Sequence, residues 1–529
     1  MLRLTNIKIP VGEPADLKQR AARIMKVPPA SVHEIRVARQ SVDARRSHTL
    51  SLVYTLIVSV DNEKAVCRKN RGNRQIAQVC EYPPPPVAKG TERLTCRPVV
   101  IGSGPAGLLC ALYLAEEGYK PVIFERGADV DTRTGKVSRF WGGGDFDPDT
   151  NVQFGEGGAG TFSDGKLTTR VNHPRIHDIL RRFVEAGAPE EILWKHKPHV
   201  GTDILRSVVK NMRNKIETLG GQFYFLTQVT DISIQRGTLT SLTAGGASWP
   251  VEAAVLAIGH SARDTYEMLL RRGVAMEPKP FAVGVRIEHP QSLIDQAQYR
   301  CEPEKYGLPP ADYNLVYHDR ELNRACYSFC MCPGGMVVAA ASEEGRAVTN
   351  GMSLHARSSG IANSALVVNV TPADCGGGIL DGIAFQRYYE KLAYDWSGSY
   401  RAPTQCVGDF LNRRTGKRSP YLTYRPGTEP AEMHALLPDF ITHTLERAIP
   451  YFDTKIKGFA SPLAGLTGVE MRTSAPVRIP RGEDRQSVGT EGLYPVGEGA
   501  GYAGGIMSAA LDGMETALAI MRKYQPIQP

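Results

Sequence analysis

Residues 97–125 read RPVVIGSGPAGLLCALYLAEEGYKPVIFE, and this stretch decides the fold. A short apolar strand pattern leads into the glycine-rich segment 102–107, which is followed by an apolar helix pattern and a second strand pattern. The second strand ends in an acid, Glu125. This order of strand, glycines, helix, strand and acid predicts a βαβ unit that binds a dinucleotide.

Each glycine of this unit, and its acid, has a structural role in binding a dinucleotide. Gly102 permits the tight turn from strand to helix, and Gly104 lets a pyrophosphate approach the backbone. Gly107 lets the helix pack closely on the strand, while the N–H groups at the helix start face the phosphates. Glu125 can accept hydrogen bonds from the ribose hydroxyls of an adenosine. The predicted contacts are Gly102, Ser103, Gly104, Pro105, Ala106, Gly107, Glu125 and Arg126.

A second glycine-rich segment lies near the C-terminus, where residues 492–507 read GLYPVGEGAGYAGGIM. Its pattern is a strand, an acid-bearing turn and glycines leading into a final helix, which suits the ribityl chain and second phosphate of FAD. Glu498 can accept ribityl hydroxyl bonds, and the positive helix start near Gly505 would face the flavin N1/O2 edge. A glycine-rich turn without a ligand is the alternative. The predicted contacts here are Gly497, Glu498, Gly504, Gly505 and Ile506.

Two further strand patterns extend the predicted cofactor site. The pattern at 253–259 is that of a buried strand, and it closes on Gly259. In the strand pattern at 223–232, Val229 can offer its backbone to an adenine.

The loop at 154–167, FGEGGAGTFSDGKL, is dense in glycine. So many glycines mean that the backbone must approach something closely. Gly158 and Lys166 are therefore predicted to lie by the flavin, with Lys166 stabilising charge on the flavin or on a phosphate. An exposed surface lysine is the equal alternative for Lys166.

Together these segments resemble FAD-dependent oxidoreductases of the glutathione-reductase fold group. More narrowly, the 154–167 loop, GHSARD at 259–264, CMCPGG at 330–335 and EMRTS at 470–474 resemble a bacterial family known only as FAD-dependent dehydrogenases. That family carries a similar N-terminal α/β extension, so the resemblance covers nearly the whole chain. It implies FAD and a cofactor domain built from separated segments, but no particular substrate. Glu498 stands where Asp is usual in the wider group.

The predicted fold class is α/β, with a three-layer, Rossmann-like FAD-binding domain built from separated segments. A mixed α+β substrate domain is inserted into it, and a small ferredoxin-like α+β module precedes it. The predicted boundaries are 1–90 for the N-terminal module, 91–270 for the first part of the FAD-binding domain, 271–460 for the inserted domain and 461–529 for the last part.

Charge separates the N-terminal module from the rest of the chain. The whole sequence carries a net charge of +8, but residues 1–97 alone contain 18 Lys and Arg against 8 Asp and Glu, so the remainder is nearly neutral. Four prolines at 83–86 favour an extended spacer. The basic module raises a polyanion or RNA partner as an alternative function. Because aromatic residues for base stacking are scarce there, a solvated or docked basic face is favoured.

The sequence contains no second strand–GxGxxG–helix unit, which argues against the two-nucleotide-domain layout of glutathione reductase. The predicted reaction is therefore hydride movement between flavin N5 and an organic small-molecule substrate. NAD(P)H is left open as a transient electron donor. The alternative enzyme is a flavin monooxygenase that uses NAD(P)H and oxygen with a single nucleotide-binding domain. The FAD is expected to be non-covalent, since no attachment motif is recognisable.

Five residues are candidates for the substrate side of the site. Glu470 and Arg472 stand just ahead of the last FAD segment and suit an acid–base group and an anion anchor. His260 follows the strand that ends at the carboxyl edge of the sheet, and it is the third catalytic candidate. Arg263 and Arg286 are candidates for substrate binding. An internal ion pair, a helix cap or a sheet-facing structural role is the alternative for these charged residues.

Other features limit the class of protein. The N-terminus has no signal-peptide pattern, and the longest apolar stretch, 50–60, is too short for a membrane span, so a cytoplasmic protein is expected. The 10 cysteines follow no common zinc or iron–sulfur spacing, so no metal site is predicted. For the tightest group, Cys326, Cys330 and Cys332, reduced thiols on one strand are favoured over a redox or metal role. The oligomeric state is left open.

Overall fold

The computed structural model describes residues 1–45, 48–79, 87–169 and 171–527. The proline run at 83–86, which was predicted as the spacer between the N-terminal module and the body, lies outside the described residues.

The N-terminal module is a four-stranded antiparallel sheet with two helices. Its elements are β1 Leu2–Pro10, α1 Leu17–Met25, β2 Val32–Asp43, β3 Ser51–Val60, α2 Glu63–Lys69 and β4 Ile76–Gln78. The strand order is β2-β3-β1-β4. Apolar residues such as Leu4 and Leu56 point into one small core together with Met25 of α1. This βαββαβ arrangement confirms the predicted ferredoxin-like module.

The module docks on the body through the outer edge of β2. The Gln40 N–H donates to the Trp194 carbonyl oxygen at 2.7 Å, and the His196 N–H donates to the Gln40 carbonyl oxygen at 2.8 Å. Arg39 Nη2 lies 2.7 Å from His196 Nδ1. The edge strand thus gains a short parallel neighbour from the body, and a basic side chain of the module takes part in this docking.

The body starts with the first part of the Rossmann-like domain. Its elements are β5 Glu92–Arg93, β6 Val99–Ile101, α3 Pro105–Glu116, β7 Val122–Phe124, α4 Val130–Trp141, α5 Ile176–Glu185, α6 Thr202–Thr218, β8 Gln222–Tyr224, β9 Val229–Gln235, β10 Thr238–Ala244, β11 Ala247–Pro250, β12 Ala254–Leu256 and α7 Arg263–Arg271.

The inserted domain and the C-terminal part follow. The elements are β13 Glu277–Pro278, β14 Phe281–Pro290, α8 Gln291–Tyr299, β15 Val316–Asp319, β16 Arg324–Cys332, β17 Met336–Ala339, β18 Thr349–Met352, β19 Ile361–Val370, α9 Asp381–Ser397, β20 Ala402–Cys406, α10 Val407–Leu411, β21 Thr428–Pro430, α11 Met433–Leu436, α12 Asp439–Asp453, β22 Gly465–Glu470, β23 Val477–Arg478, β24 Leu493–Pro495, α13 Ile506–Lys523 and β25 Tyr524–Gln525.

The Rossmann-like domain has three layers around a parallel sheet of order β24-β12-β6-β7-β8. Helices α3, α6 and α13 pack on one face, and the antiparallel sheet of β9, β10 and β11 covers the other. A Cβ on Gly513 of α13 would lie 2.0 Å from the Ala106 carbonyl oxygen, so α13 packs directly against the start of α3. Because β24 joins the sheet from the far end of the chain, the prediction of a domain built from separated segments is confirmed.

The inserted domain is built on a seven-stranded mixed sheet of order β15-β16-β19-β14-β22-β20-β21. Strand β22 belongs to this sheet because it pairs antiparallel with β14 and β20. It lies beyond the predicted domain boundary at 460, since this pairing joins segments about 180 residues apart and leaves no local sequence signal. Within the described ranges, no helix has the length and apolar character that crossing a membrane requires.

Candidate active site

A cavity of about 340 Å³ lies where the Rossmann-like domain meets the inserted domain. Part of its wall comes from the loops after β6, β12 and β24, at the carboxyl edge where doubly wound sheets bind ligands. Another part comes from the inserted domain and the segment that follows it, through Phe329, Cys330, Asn350, Glu470 and Arg472. Segments from both ends of the body therefore line one common space.

Most of the residues that the sequence singled out line this cavity. They are Gly102, Ser103, Gly104, Pro105, Ala106, Glu125, Arg126, Gly158, Lys166, Val229, Gly259, His260, Glu470, Arg472, Glu498, Gly504, Gly505 and Ile506.

Two predicted cofactor glycines, Gly107 and Gly497, stand behind the wall instead. A Cβ on Gly107 would lie 2.0 Å from the Gly102 carbonyl oxygen, which is the close helix–strand approach that the sequence analysis assigned to this glycine. A Cβ on Gly497 would lie 2.8 Å from the Ala106 Cβ. Both glycines therefore serve packing around the cavity rather than its surface.

The cavity fits a phosphate-containing dinucleotide. Helices α3 and α13 begin directly after Gly104 and Gly505, which have no side chain to cap them, so their first N–H groups and positive ends are left for a ligand. Apart from its chain neighbours, the nearest atom of the described residues to a Cβ on Gly104 would be the Gly158 Cα, at 3.8 Å. Around Gly259 and Gly505, no atom of the described residues would lie within 4 Å of such a Cβ. The backbone thus leaves open room where the cofactor is expected.

Glu125 ties the cofactor loops together. Its Oε2 accepts hydrogen bonds from the Ser103 N–H at 2.9 Å and the Ser103 hydroxyl at 2.7 Å. Its Oε1 accepts from the N–H groups of Gly127 and Gly155, both at 3.0 Å. The carboxylate therefore fixes the turn after β6 and the glycine loop relative to β7, in addition to lining the cavity.

Two ionisable side chains from different loops face the cavity with shifted pKa values. Burial raises the pKa of Glu498 to about 7, although the charge of Lys279 opposes this shift. Lys166 contacts the Met331 carbonyl oxygen and lies 3.4 Å from Asp164 Oδ2. Burial lowers the pKa of Lys166, but the Asp164 carboxylate outweighs it and the net pKa is raised, so this lysine is a cation.

Glu470 is held from behind by Arg286. Arg286 Nη2 donates to Glu470 Oε1 at 3.1 Å and Nε donates to Oε2 at 3.2 Å, while the Thr349 hydroxyl donates to Oε2 at 3.0 Å. Arg286 is fully buried and Glu470 is 3% exposed. Arg286 does not line the cavity, so it positions Glu470 and is not placed to touch a substrate directly.

Arg472 and Arg263 share one buried carboxylate, that of Glu390. Arg472 reaches it with Nε and Nη2 at 2.9 and 2.8 Å, and Arg263 with Nη1 and Nη2 at 2.9 and 2.7 Å. Burial alone would raise the pKa of Glu390, but the charges of the two guanidinium groups outweigh burial and lower this pKa to about 2. Of the two arginines only Arg472 lines the cavity. Arg263, the first residue of α7, contacts Glu390 from outside the cavity lining.

His260 lies beside this cluster as a neutral imidazole. Its Nδ1 is 2.8 Å from the Ser261 hydroxyl, and that hydroxyl also accepts a hydrogen bond from Arg472 Nη1 at 3.2 Å. Burial, together with the charges of Arg472 and Arg263, lowers the pKa of His260 to about 3. At neutral pH the ring can donate or accept a hydrogen bond but does not carry a charge.

Three parts of the chain match known protein families. Residues 97–274 match the family described as pyridine nucleotide-disulphide oxidoreductase, and 280–473 match the family described as FAD-dependent protein, C-terminal domain-like. Residues 1–59 match a domain of unknown function. An uncharacterized protein from Clostridium beijerinckii is 46% identical over 529 residues, covering 99% of both chains. The chain belongs to a family of FAD-dependent oxidoreductases. Its cofactor is FAD.

Three solved structures similar to this FAD-dependent oxidoreductase share 11–12% sequence identity with it. A geranylgeranyl bacteriochlorophyll reductase-like protein from Thermoplasma acidophilum is 12% identical with a TM-score of 0.34, over 80% of this chain and 76% of that one. L-proline dehydrogenase from P. horikoshii is 11% identical with a TM-score of 0.35, over 80% and 93%. Glycine oxidase from Bacillus cereus is 12% identical with a TM-score of 0.31, over 80% and 94%.

One part of the cavity wall in this oxidoreductase comes from residues that were not predicted from the sequence. Phe329 and Cys330 of β16 and Asn350 of β18 line the cavity, but none was a candidate. The signal was the crowding of thiols at 326–332, which was interpreted as a regular strand. The strand is interrupted next to Cys330, and this irregularity could not be read from the residue types.

Proposed function

We propose that this protein is a FAD-dependent dehydrogenase or reductase that moves a hydride between flavin N5 and an organic substrate in the cavity. The proposal rests on the cavity wall, to which both domains contribute. Glycine-rich loops of the Rossmann-like domain and the charged groups Glu470 and Arg472 line one space. A substrate held by the latter would lie against a cofactor held by the former, as direct hydride transfer requires.

The cofactor residues follow from the chemistry of each wall segment. The N–H groups at the start of α3, after Gly104, would hold the pyrophosphate, and Glu125 would accept a ribose hydroxyl. Val229 would meet the adenine through its backbone, because its side chain packs in the core. Glu498 would meet the ribityl chain, and the start of α13 at Gly505 would face the flavin N1/O2 edge. When bound, FAD supplies the hydride acceptor.

On the substrate side, the protein offers a fixed carboxylate and a fixed guanidinium. Because Arg286 and Thr349 hold the Glu470 carboxylate, it would accept a hydrogen bond or a proton from a substrate hydroxyl or amine. Arg472 would orient an electron-rich substrate group, since Glu390 locks its geometry. The neutral His260 would add a hydrogen bond without adding charge.

An anaerobic reduction screen tests this proposal. The purified holoenzyme is mixed with NADH, NADPH and a panel of hydroxy acids, amino acids and other metabolites, and bleaching of the oxidised flavin absorbance is followed. At least one organic substrate should bleach the flavin in the absence of oxygen, with an oxidised product that carries no oxygen atom derived from O2. NAD(P)H oxidation that consumes oxygen only with substrate present, and that places an oxygen atom from O2 in the product, would overturn the proposal in favour of a monooxygenase.

A further inference from the structure

The cavity wall contains a pair of cysteines that the proposed hydride transfer does not use. Cys330 of β16 lines the cavity, and Cys332, two residues later on the same strand, is buried beside it. Because only one residue separates them, the two thiols lie within reach of each other if the backbone bends between them.

The backbone does bend at this place. Strand β16 pairs with β19 in regular register up to Phe329, but the next paired residue is Cys332, so two residues of β16 oppose one residue of β19. This is a β-bulge, a feature that redirects a side chain next to a functional site. Cys330 has a φ of +42°, in the left-handed region that residues other than glycine rarely adopt. The strain is concentrated at the cysteine that faces the cavity.

Two cationic groups contact the backbone at the pair. Arg286 Nη1 donates to the Cys330 carbonyl oxygen at 3.0 Å, and Lys166 contacts the carbonyl oxygen of Met331 between the two cysteines. The Cys332 thiol donates to the Cys330 carbonyl oxygen at 3.3 Å. The neighbouring Cys332 thiol and the charges of Arg286 and Lys166 lower the pKa of Cys330, against burial and the Asp164 carboxylate. A thiol in such surroundings is activated as a nucleophile.

Cys326, on the same strand, shows the contrast. It is fully buried in the core of the inserted domain, where burial raises the pKa of its thiol. It is not among the residues that line the cavity. The feature that singles out Cys330 and Cys332 is therefore their place at the bulge, not the presence of sulfur on this strand.

We propose that Cys330 and Cys332 form a redox-active dithiol–disulfide pair that exchanges electrons with the bound FAD. In the oxidative direction both S–H bonds break, one Sγ–Sγ bond forms and two protons are released. The two electrons pass to oxidised FAD, which takes up one of these protons. In the reverse direction, reduced FAD returns two electrons to the Sγ–Sγ bond and the thiols regain their protons. The inference rests on FAD binding in this cavity, as proposed above.

Two measurements on the holoenzyme test the pair. In an anaerobic dithionite titration, the air-oxidised wild type should take up about four electrons per FAD, whereas C330S and C332S should take up about two. Mass spectrometry after alkylation without a reductant should find the peptide with 330 and 332 unlabelled and about 2 Da lighter than its reduced form. C375S, which removes a half-buried thiol outside the cavity lining, is the matched control and should behave as wild type.

The outcomes separate this pair from the proposed function. If the wild type takes up about two electrons per FAD and both cysteines are alkylated without a reductant, the redox pair is refuted while hydride transfer stands. If no FAD binds the purified or reconstituted protein, the proposed function fails with it. Cys332 is the more deeply buried residue, so C332S is the variant at greater risk of misfolding. In that case C330S alone tests the redox pair.

Discussion

The Arg286 guanidinium and the Glu470 carboxylate form a bidentate ion pair, with Nη2–Oε1 and Nε–Oε2 distances of 3.1 and 3.2 Å, at the wall of the cavity. Arg286 lies on β14 and Glu470 ends the neighbouring strand β22. The pair therefore fixes a cavity carboxylate to the middle of the inserted sheet, and its two residues make separable contributions to stability and to reaction.

R286M should lower the free energy of unfolding by about 3–5 kcal/mol, because it leaves the Glu470 carboxylate buried without its partner. Chemical denaturation of the holoenzyme measures this loss. In the double variant R286M/E470Q the loss should be smaller than the sum of the two single losses, since no buried charge is then left unpaired. If the free energy of unfolding of R286M lies within about 1 kcal/mol of the wild-type value, the pair contributes no more than a surface ion pair.

E470Q should slow substrate-driven flavin reduction by about 100-fold or more, because the amide cannot take a proton from the substrate. FAD content, measured by the ratio of flavin to protein absorbance, should stay the same, since Glu470 belongs to the substrate side. Stopped-flow bleaching under anaerobic conditions measures the rate. E344Q changes an exposed carboxylate of the same domain and is the control. An unchanged reduction rate in E470Q would remove this residue from the reaction.

The cofactor half of the cavity could be predicted from the sequence because its signals are local. The spacing of Gly102, Gly104 and Gly107 and the turn at Glu498 each occupy a few consecutive residues, and the structure brings these segments to one sheet edge. The same holds for the ferredoxin-like module, whose strand and helix patterns follow directly in the chain.

For the substrate half of the cavity, the sequence indicated residues of a suitable chemical type but not how they pair in space. Arg286 and Glu470 are 184 residues apart, and nothing near either of them in the sequence names the other as its partner. For this reason Arg286 was a candidate for substrate contact, although it lies behind the wall. The bulge at Cys330 depends on how β16 pairs with β19, so it could not be recognised in the strand pattern alone.

The buried His289 should make stability depend on pH. Its Nε2 lies 2.8 Å from the Phe459 carbonyl oxygen, and burial lowers the pKa of His289 to about 4. Between about pH 6.5 and pH 4 the unfolded chain binds a proton that the folded protein does not, so the stability present above pH 6.5 is lost as the pH falls. Over this window wild type should lose about 3 kcal/mol more than H289Q, whose amide can donate to Phe459 without titrating.

Denaturation of both proteins at pH 7 and pH 4 measures this difference. H318Q, which changes an exposed histidine of β15, should follow the wild-type curve. Parallel curves for wild type and H289Q would show that the ring is protonated in the folded state as readily as in the unfolded chain.

Alanine at Gly104 should affect FAD binding, whereas alanine at Gly107, three residues away, should affect stability. A Cβ at Gly104 would point into open space, with the Gly158 Cα at 3.8 Å as its nearest neighbour, and the backbone there is extended, so the fold tolerates it. The methyl group would occupy the position where the pyrophosphate is expected to approach. G104A should therefore weaken FAD binding by about tenfold or more at unchanged stability of the FAD-free protein.

A Cβ at Gly107 would lie 2.0 Å from the Gly102 carbonyl oxygen, so G107A should lower the free energy of unfolding even without FAD, by about 1–3 kcal/mol. Flavin fluorescence titration and denaturation of the FAD-free proteins measure the two effects. Equal FAD affinity in G104A and wild type would mean that the phosphates do not pass over this glycine.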